Sequence, residues 1–279
     1  MSTDSGRPAS SEPALMDWFR EQGSALVGFS GGVDSTYLAA VALDALGAGS
    51  VLAVIGRSAS YPEVQWENAI ALAHRIGLPL LEVVTDEMND PRYAANPSNR
   101  CYFCKSELWT RLIPVARERG LAVIVDGTNA DDIGGHRPGR QAASEREVRS
   151  PLAELGFGKD EIRRLSRARG LPSWSQPASP CLSSRIPYGT AITAERLARV
   201  ERAEAALRRV GVTGDLRVRD HDDLARIEMP AESLAGWIDP DRAVVLAVAV
   251  REAGFARVSL DLRGFRSGSL NILGGVATP

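Results

Sequence analysis

Three features of this 279-residue chain carry chemistry: a glycine turn, three cysteines and a run of carboxylates. In Ser30-Gly-Gly-Val-Asp-Ser35 the adjacent glycines let backbone N–H groups close on a ligand without obstruction from a Cβ. An apolar run of strand type (residues 25–29) precedes them and an apolar helical stretch (34–46) follows, so the turn sits at a helix N-terminus. Roughly half a positive charge points the same way there, and the turn therefore wants an anion. Ser30 and Ser35 add hydroxyl donors, and Asp34 can hold a metal ion or cap the helix, which suits a phosphate chain carrying magnesium. No lysine follows the glycines, so the pattern G-x-x-x-x-G-K-[ST] is absent, as is the dinucleotide turn G-x-G-x-x-G. An ordinary glycine turn before a helix is the bland alternative.

Cys101-Tyr-Phe-Cys104 opens a helical stretch running towards Arg119, and Cys181 lies in a proline-punctuated segment. Two thiolates at this spacing suit zinc, an iron–sulfur cluster or a redox disulfide. Structural zinc would need a fourth ligand, and no histidine lies close in sequence; a 4Fe-4S cluster on three cysteines would leave one iron open to a small ligand. Reduced cysteines at a helix end remain the plain reading. Cys181 is flanked by hydroxyls and Arg185, and a nearby positive charge makes a thiol more nucleophilic towards an activated carboxyl group.

The loop Asp126-Gly-Thr-Asn-Ala-Asp-Asp132 offers carboxylates for magnesium or ATP, or is an Asx-rich turn that such residues form unaided. Arg217 and Arg219 alternate along a short strand, so their side chains share one face; they suit a nucleotide phosphate or form a solvated basic surface.

Elements that would position these residues follow from periodicity. A helix is expected over residues 12–22. Strands are expected over 51–55, 80–84 and 121–125, with helical segments between, which together with 25–29 make a parallel, doubly wound α/β sheet. Gly56-Arg57-Ser58 then falls at a carboxyl edge, where Arg57 can meet adenine or ribose. A helix follows Pro62, with Trp66, Ala69, Ile70, Ala73 and Ile76 on one face; its His74 reads as a packed or surface residue. Residues 134–150, rich in Gly, Arg and Glu, read as a mobile active-site loop, and 159–169 as a basic amphipathic helix. Pro172, Pro177 and Pro180 mark a linker. Beyond it come a helix (193–210), a strand pair (216–219, 224–228), a helix (241–253) and a strand (256–262), a small α+β domain. The expected division is 13–180 for nucleotide binding and 181–279 for substrate binding and oligomerisation, after a tail (1–11) without function.

Composition narrows the class. Lysine plus arginine (33) balance aspartate plus glutamate (35), so no field of one sign draws a polyanion, and nucleic acid is not the expected partner. No apolar run reaches the roughly 18 residues of a membrane span and no signal pattern opens the chain, so a soluble cytoplasmic protein is expected. Three cysteines do not make a secreted disulfide framework.

The loop Ser30–Ser35 resembles the pyrophosphate-binding loop of the N-type ATP pyrophosphatases, which cleave ATP to AMP and pyrophosphate and activate an acyl oxygen by adenylation. Together with Asn99-Arg-Cys-Tyr-Phe-Cys-Lys105, Asp126-Gly-Thr-Asn-Ala-Asp-Asp132, Cys181-Leu-Ser-Ser-Arg-Ile-Pro-Tyr-Gly189 and Leu216-Arg-Val-Arg-Asp-His221, it is similar to the LarE sulfur transferases over residues 13–270. The resemblance implies an enzyme that adenylates pyridinium-3,5-biscarboxylic acid mononucleotide and converts its carboxylates to thiocarboxylates, towards a nickel-pincer nucleotide cofactor. It implies ATP with Mg2+ held by Ser30, Gly31, Gly32, Asp34, Ser35, Arg57, Gly127, Thr128 and Asn129. It further implies substrate at Arg217, Arg219, Ser184 and Arg185, and a homo-oligomer, a hexamer being one form. Cys181 matches the cysteine that attacks the acyl adenylate. In a branch without Cys-x-x-Cys that cysteine surrenders its own sulfur and becomes dehydroalanine. With Cys101 and Cys104 this chain resembles the three-cysteine branch, and that resemblance implies a 4Fe-4S cluster on Cys101, Cys104 and Cys181 carrying a transferable sulfide. Competing readings are a tRNA thiolation enzyme, an amidating ligase of the NAD or GMP synthetase kind, and a nucleotide-binding regulatory module without turnover.

Overall fold

The structure is a computed structural model that describes residues 10–134 and 137–266; most of the expected N-terminal tail and the last part of the expected C-terminal domain lie outside them. Its first half runs α1 (Glu12–Gln22), β1 (Ala25–Gly28), α2 (Val33–Leu46), β2 (Val51–Arg57), α3 (Glu63–Arg75) and β3 (Leu80–Val84). Then come α4 (Pro91–Ala94), α5 (Arg100–Glu118), β4 (Val123–Val125), α6 (Pro138–Ser144), α7 (Pro151–Glu154) and α8 (Lys159–Ala168). The four strands form one parallel sheet in the order β3-β2-β1-β4.

Side chains alternate along a strand, and here the two faces feed two separate cores. Ala25, Val27, Ala53 and Ile55 pack with α1, α2 and α3, whereas Leu26 and Val54 pack with Trp109, Leu112 and Ala116 of α5. Helices thus cover both faces, which is why these strands read as continuous apolar runs. The strand order reverses between β1 and β4, and at such a switch point the chain leaves the sheet in opposite directions and opens a crevice at the carboxyl edge. Both chemically suggestive loops, Ser30–Ser35 and 126–132, open from that crevice.

Residues 134–150 differ from the expected loop: 138–144 form α6, which lies on α5. Pro138 starts the helix, and Ala142 and Ala143 are buried beside Trp109 and Leu112. Two turns with two small buried residues are too short to register as a periodic pattern against their Gly and Arg neighbours. Residues 135–136 of that stretch lie outside the described residues.

The second half holds α9 (Ala194–Arg209), β5 (Arg217–His221), β6 (Leu224–Glu228), α10 (Pro240–Glu252) and β7 (Arg257–Leu260). β5 and β6 are antiparallel, and β7 adds parallel to β6. This second sheet has its own core of Leu197, Val200, Leu207, Val218, Ile227, Leu246 and Val250. Leu182 and Ile186, just after Cys181, also belong to that core, and so does Tyr93 of α4, through which the first half reaches into the second. Among the described residues no helix is long and apolar enough to cross a membrane.

Candidate active site

The glycine turn is fixed by close approach on both sides. Gly31 has φ +66°, and a Cβ there would stand 2.5 Å from the methyl of Ala69 in α3. Gly127, in the loop after β4, lies so near α2 that a Cβ on it would meet the Ser35 backbone nitrogen at 2.9 Å. The N-cap position of α2 is Gly32, which has no side chain to cap it, so the first N–H groups of a buried helix face the crevice without a side-chain acceptor. Ser35 Oγ stands 3.1 Å from Ser30 Oγ, accepts from the Ser30 N–H at 3.2 Å and donates to the Gly32 carbonyl. The result is a rigid, electropositive cradle that suits an anion.

The loop after β4 is held by its own acids. Asp126 accepts from the Thr128 N–H and from Ser150 Oγ; Asn129 caps the short turn 130–132 by accepting from the Asp131 N–H. Asp131 in turn accepts from the Lys159 N–H at 2.7 Å, which fixes the start of α8. From there Lys159 Nζ reaches Asp34 Oδ2 at 2.5 Å. The cation that the sequence lacks after its glycines is therefore supplied from far along the chain. Asp34 Oδ1 is buried and has no hydrogen-bond partner among the described residues, which leaves one hard oxygen for a magnesium ion. These features fit a nucleotide phosphate with its metal. Arg57 stands at the rim instead, exposed, its guanidinium 4.0 Å over the Trp66 ring and 2.9 Å from Glu63.

The thiols share one neighbourhood. Burial raises the Cys104 thiol strongly, Glu87 adds to this, and Cys181 and Cys101 follow. Burial likewise raises Cys101, with Cys181 next. Cys101 nonetheless has solvent-accessible surface. The Cys181 turn is tied to the nucleotide edge: the Leu182 N–H donates to the Ser60 carbonyl at 2.8 Å, and Gln65 bonds Ser179. Next along the chain, Tyr61 donates to the Ser30 carbonyl at 2.8 Å; burial pushes that phenol up to about 12, so it stays a donor. Two adjacent residues therefore connect the thiol turn to the glycine turn. Among the described residues no set of three or more His, Cys, Asp or Glu side chains is drawn closely enough together to hold a metal as it stands.

The basic residues divide by partner. Arg185 is buried (1% exposed) in a two-pronged pair with Glu204, and donates to the Pro180 and Cys181 carbonyls and to Ser184 Oγ. It shapes the Cys181 turn from behind. Arg219 is paired with Glu228 and donates to the Ser184 carbonyl at 2.8 Å. Arg217 is different: 5% exposed, it donates to the Leu216 and Ala178 carbonyls, and among the described residues no carboxylate forms an ion pair with it. Burial, then Arg185, lowers its pKa to about 10. A desolvated guanidinium with no ion pair among the described residues suits an anion. Neither arginine is the solvated surface that the sequence allowed. Glu87 (2% exposed), Lys159 and Tyr61 are the site residues that sequence reasoning missed. Lys159 alone carried a signal, because a lysine in a helix's first turn opposes the dipole and asks for a reason.

The sequence is similar to those of several known proteins. The family model described as NAD synthase matches residues 16–99, which contain the glycine turn. An uncharacterized protein of Synechocystis sp. is 49% identical over 257 residues, 92% of this chain and 95% of that protein. The pyridinium-3,5-bisthiocarboxylic acid mononucleotide synthase of Lactiplantibacillus plantarum is 37% identical over 245 residues, 88% of each chain. A glutamine-hydrolyzing GMP synthase of Aeropyrum pernix is 32% identical over 215 residues, 68% of this chain but only 40% of that protein.

Proposed function

The chain belongs to the LarE family, the pyridinium-3,5-bisthiocarboxylic acid mononucleotide synthases, and from that premise we propose that it activates carboxylates of pyridinium-3,5-biscarboxylic acid mononucleotide with ATP and exchanges oxygen for sulfur. The product serves a nickel-pincer nucleotide cofactor. One observation carries this reading: a single sheet edge joins an uncapped helix N-terminus and its lysine to the turn that holds Cys181, through Ser60 and Tyr61.

In this reading the first N–H groups of α2, with Ser30, Gly31, Gly32 and Ser35, hold the pyrophosphate end of ATP, while Gly127, Thr128 and Asn129 close the other side. Asp34 offers its unpartnered Oδ1 to magnesium. Arg57 lies at the nucleoside rim. A substrate carboxylate oxygen attacks the α-phosphorus, the bond to pyrophosphate breaks, and Lys159 neutralises the charge that gathers on the leaving group. Thiolate attack from Cys181 then forms a carbon–sulfur bond at the acyl carbon, the acyl–oxygen bond breaks and AMP leaves; attack by a sulfide on that thioester forms the thiocarboxylate and expels the Cys181 thiolate. Arg217 grips the substrate phosphate, whereas Arg185, Arg219 and Ser184 hold the attacking turn in place.

The donor set Cys101, Cys104 and Cys181 fits a 4Fe-4S cluster, since three soft sulfur ligands suit iron, and the Cys101 and Cys104 thiols, which burial keeps protonated, become favourable as thiolates beside a cationic centre. Such a cluster would supply an open iron position able to carry a sulfide. The three neighbouring cysteines are also what favours sulfur transfer over an amidating ligase, which could use the same nucleotide half.

The test uses anaerobically purified protein with Mg-ATP and the pyridinium dicarboxylate, following pyrophosphate and product mass. Substrate-dependent pyrophosphate release with sulfur in the product supports the reading, and iron with acid-labile sulfide supports the cluster. Nitrogen in place of sulfur, or no pyrophosphate, overturns it.

A further inference from the structure

Asn96, between α4 and α5, is wholly buried and holds φ at +54°. A non-glycine residue keeps that conformation where its surroundings over-determine it. Here both ends of the carboxamide are engaged. Nδ2 donates to the Pro187 carbonyl at 2.8 Å and the Thr190 carbonyl at 3.0 Å, with Ile186 farther at 3.3 Å. Oδ1 accepts from Arg100 Nη1 at 2.8 Å. The amide cannot be turned over, because that would set oxygen against three carbonyls and NH2 against a guanidinium.

The backbone makes the same join. The Gly189 N–H donates to the Asn96 carbonyl and the Ile192 N–H to the Ala94 carbonyl, at 2.9 and 2.8 Å. Tyr93 and Ser183 hydroxyls meet at 2.6 Å, and the Arg100 guanidinium lies 4.8 Å over the Tyr188 ring. Residues 93–100 are thereby sewn to residues 183–192. Arg100 directly precedes Cys101, and Ser183 closely follows Cys181.

We propose that Asn96, with Arg100, is a positioning pair that sets the Cys101–Cys104 turn of α5 against the Cys181 turn, so that the three thiols meet. The inference rests on reading those thiols as one site. Asparagine suits the place: it tolerates left-handed backbone, donates to several carbonyls at once, and accepts from the arginine on its other side. Aspartate would press a carboxylate oxygen onto the carbonyls; glycine would accept the backbone and lose the clamp.

The test compares the reduced full-length chain with Asn96→Asp and Asn96→Gly, each treated anaerobically with dibromobimane, and maps bridged peptides by mass. In the unaltered protein Cys181 becomes bridged to Cys101 or Cys104. In both variants that bridge falls about tenfold or more, while the Cys101–Cys104 bridge persists and Mg-ATP still raises the melting temperature as before. The ATP response reports an intact nucleotide half, and if the aspartate variant loses it, the glycine variant decides. Bridging to Cys181 at the unaltered yield in the variants overturns the clamp alone. Absence of any bridge to Cys181 in the unaltered protein overturns the clamp together with the reading of the thiols as one site.

Discussion

Replacing Arg217 by methionine should raise stability and damage turnover in the same molecule. A guanidinium held at about 10 rather than 12.5 is penalised as a cation by roughly 3 kcal/mol in the folded state. Against this stand its bonds to the Leu216 and Ala178 carbonyls, 2.7 and 3.0 Å, worth about 1 kcal/mol each. Methionine keeps the apolar stem beside Phe265, over whose ring the guanidinium sits at 5.0 Å. The balance favours methionine by about 1 kcal/mol, or roughly 2–4 °C in melting temperature. Function moves the other way: a substrate phosphate loses its desolvated partner, about 3 kcal/mol and hence roughly 100-fold in the substrate KM. The KM for ATP should hold, because Arg217 lies on β5 and not at the glycine turn. Thermal unfolding and steady-state pyrophosphate release, titrating each substrate in turn, supply both readouts. A variant that is markedly less stable, or whose two KM values rise together, refutes the reasoning.

Lys159→Met should lower kcat for pyrophosphate release by roughly 100–1,000-fold with little change in the pyridinium substrate's KM, as read by single-turnover release; near-normal kcat would remove the lysine from the phosphate site. Cys101 and Cys104 should alkylate slowly at neutral pH, despite the exposure of Cys101, and about tenfold faster per unit of rising pH, as mapped by peptide mass; fast neutral labelling would contradict the burial that raises both thiols. His221 is held below its ordinary value by burial and then by Arg226, and its Nε2 is buried without a hydrogen-bond partner among the described residues. The unfolded chain thus binds a proton that the fold resists, so stability should fall as pH drops below about 6.5, and His221→Gln should flatten that part of a denaturant-midpoint profile.

What the sequence reveals here depends on how local the cause is. The glycine turn, the four parallel strands and most helix limits follow from apolar period and turn residues alone. Thus α1 occupies residues 12–22 as expected, and Thr193 caps α9 where the long helix was expected to begin. The charged pairs did not show themselves, for they form across the fold. Arg219 faces Arg226 in the hairpin register, and only the diagonal places Glu228 beside it. Arg185 finds Glu204 on α9, and Lys159 finds Asp34 across a loop that Asp131 and Asn129 must first order. Asn96 looks like a loop residue in sequence; its meaning lies in carbonyls contributed by residues 186–190.

The most direct measurement is a single-turnover comparison of the unaltered enzyme with Cys181→Ser, with Mg-ATP and the pyridinium dicarboxylate, quantifying pyrophosphate and sulfur-containing product in the same quench. The serine variant should release a burst of pyrophosphate, since Ser30–Ser35 and Lys159 are untouched, and yield no thiocarboxylate. Thiocarboxylate formed at the unaltered rate without the thiol at position 181 would contradict the account.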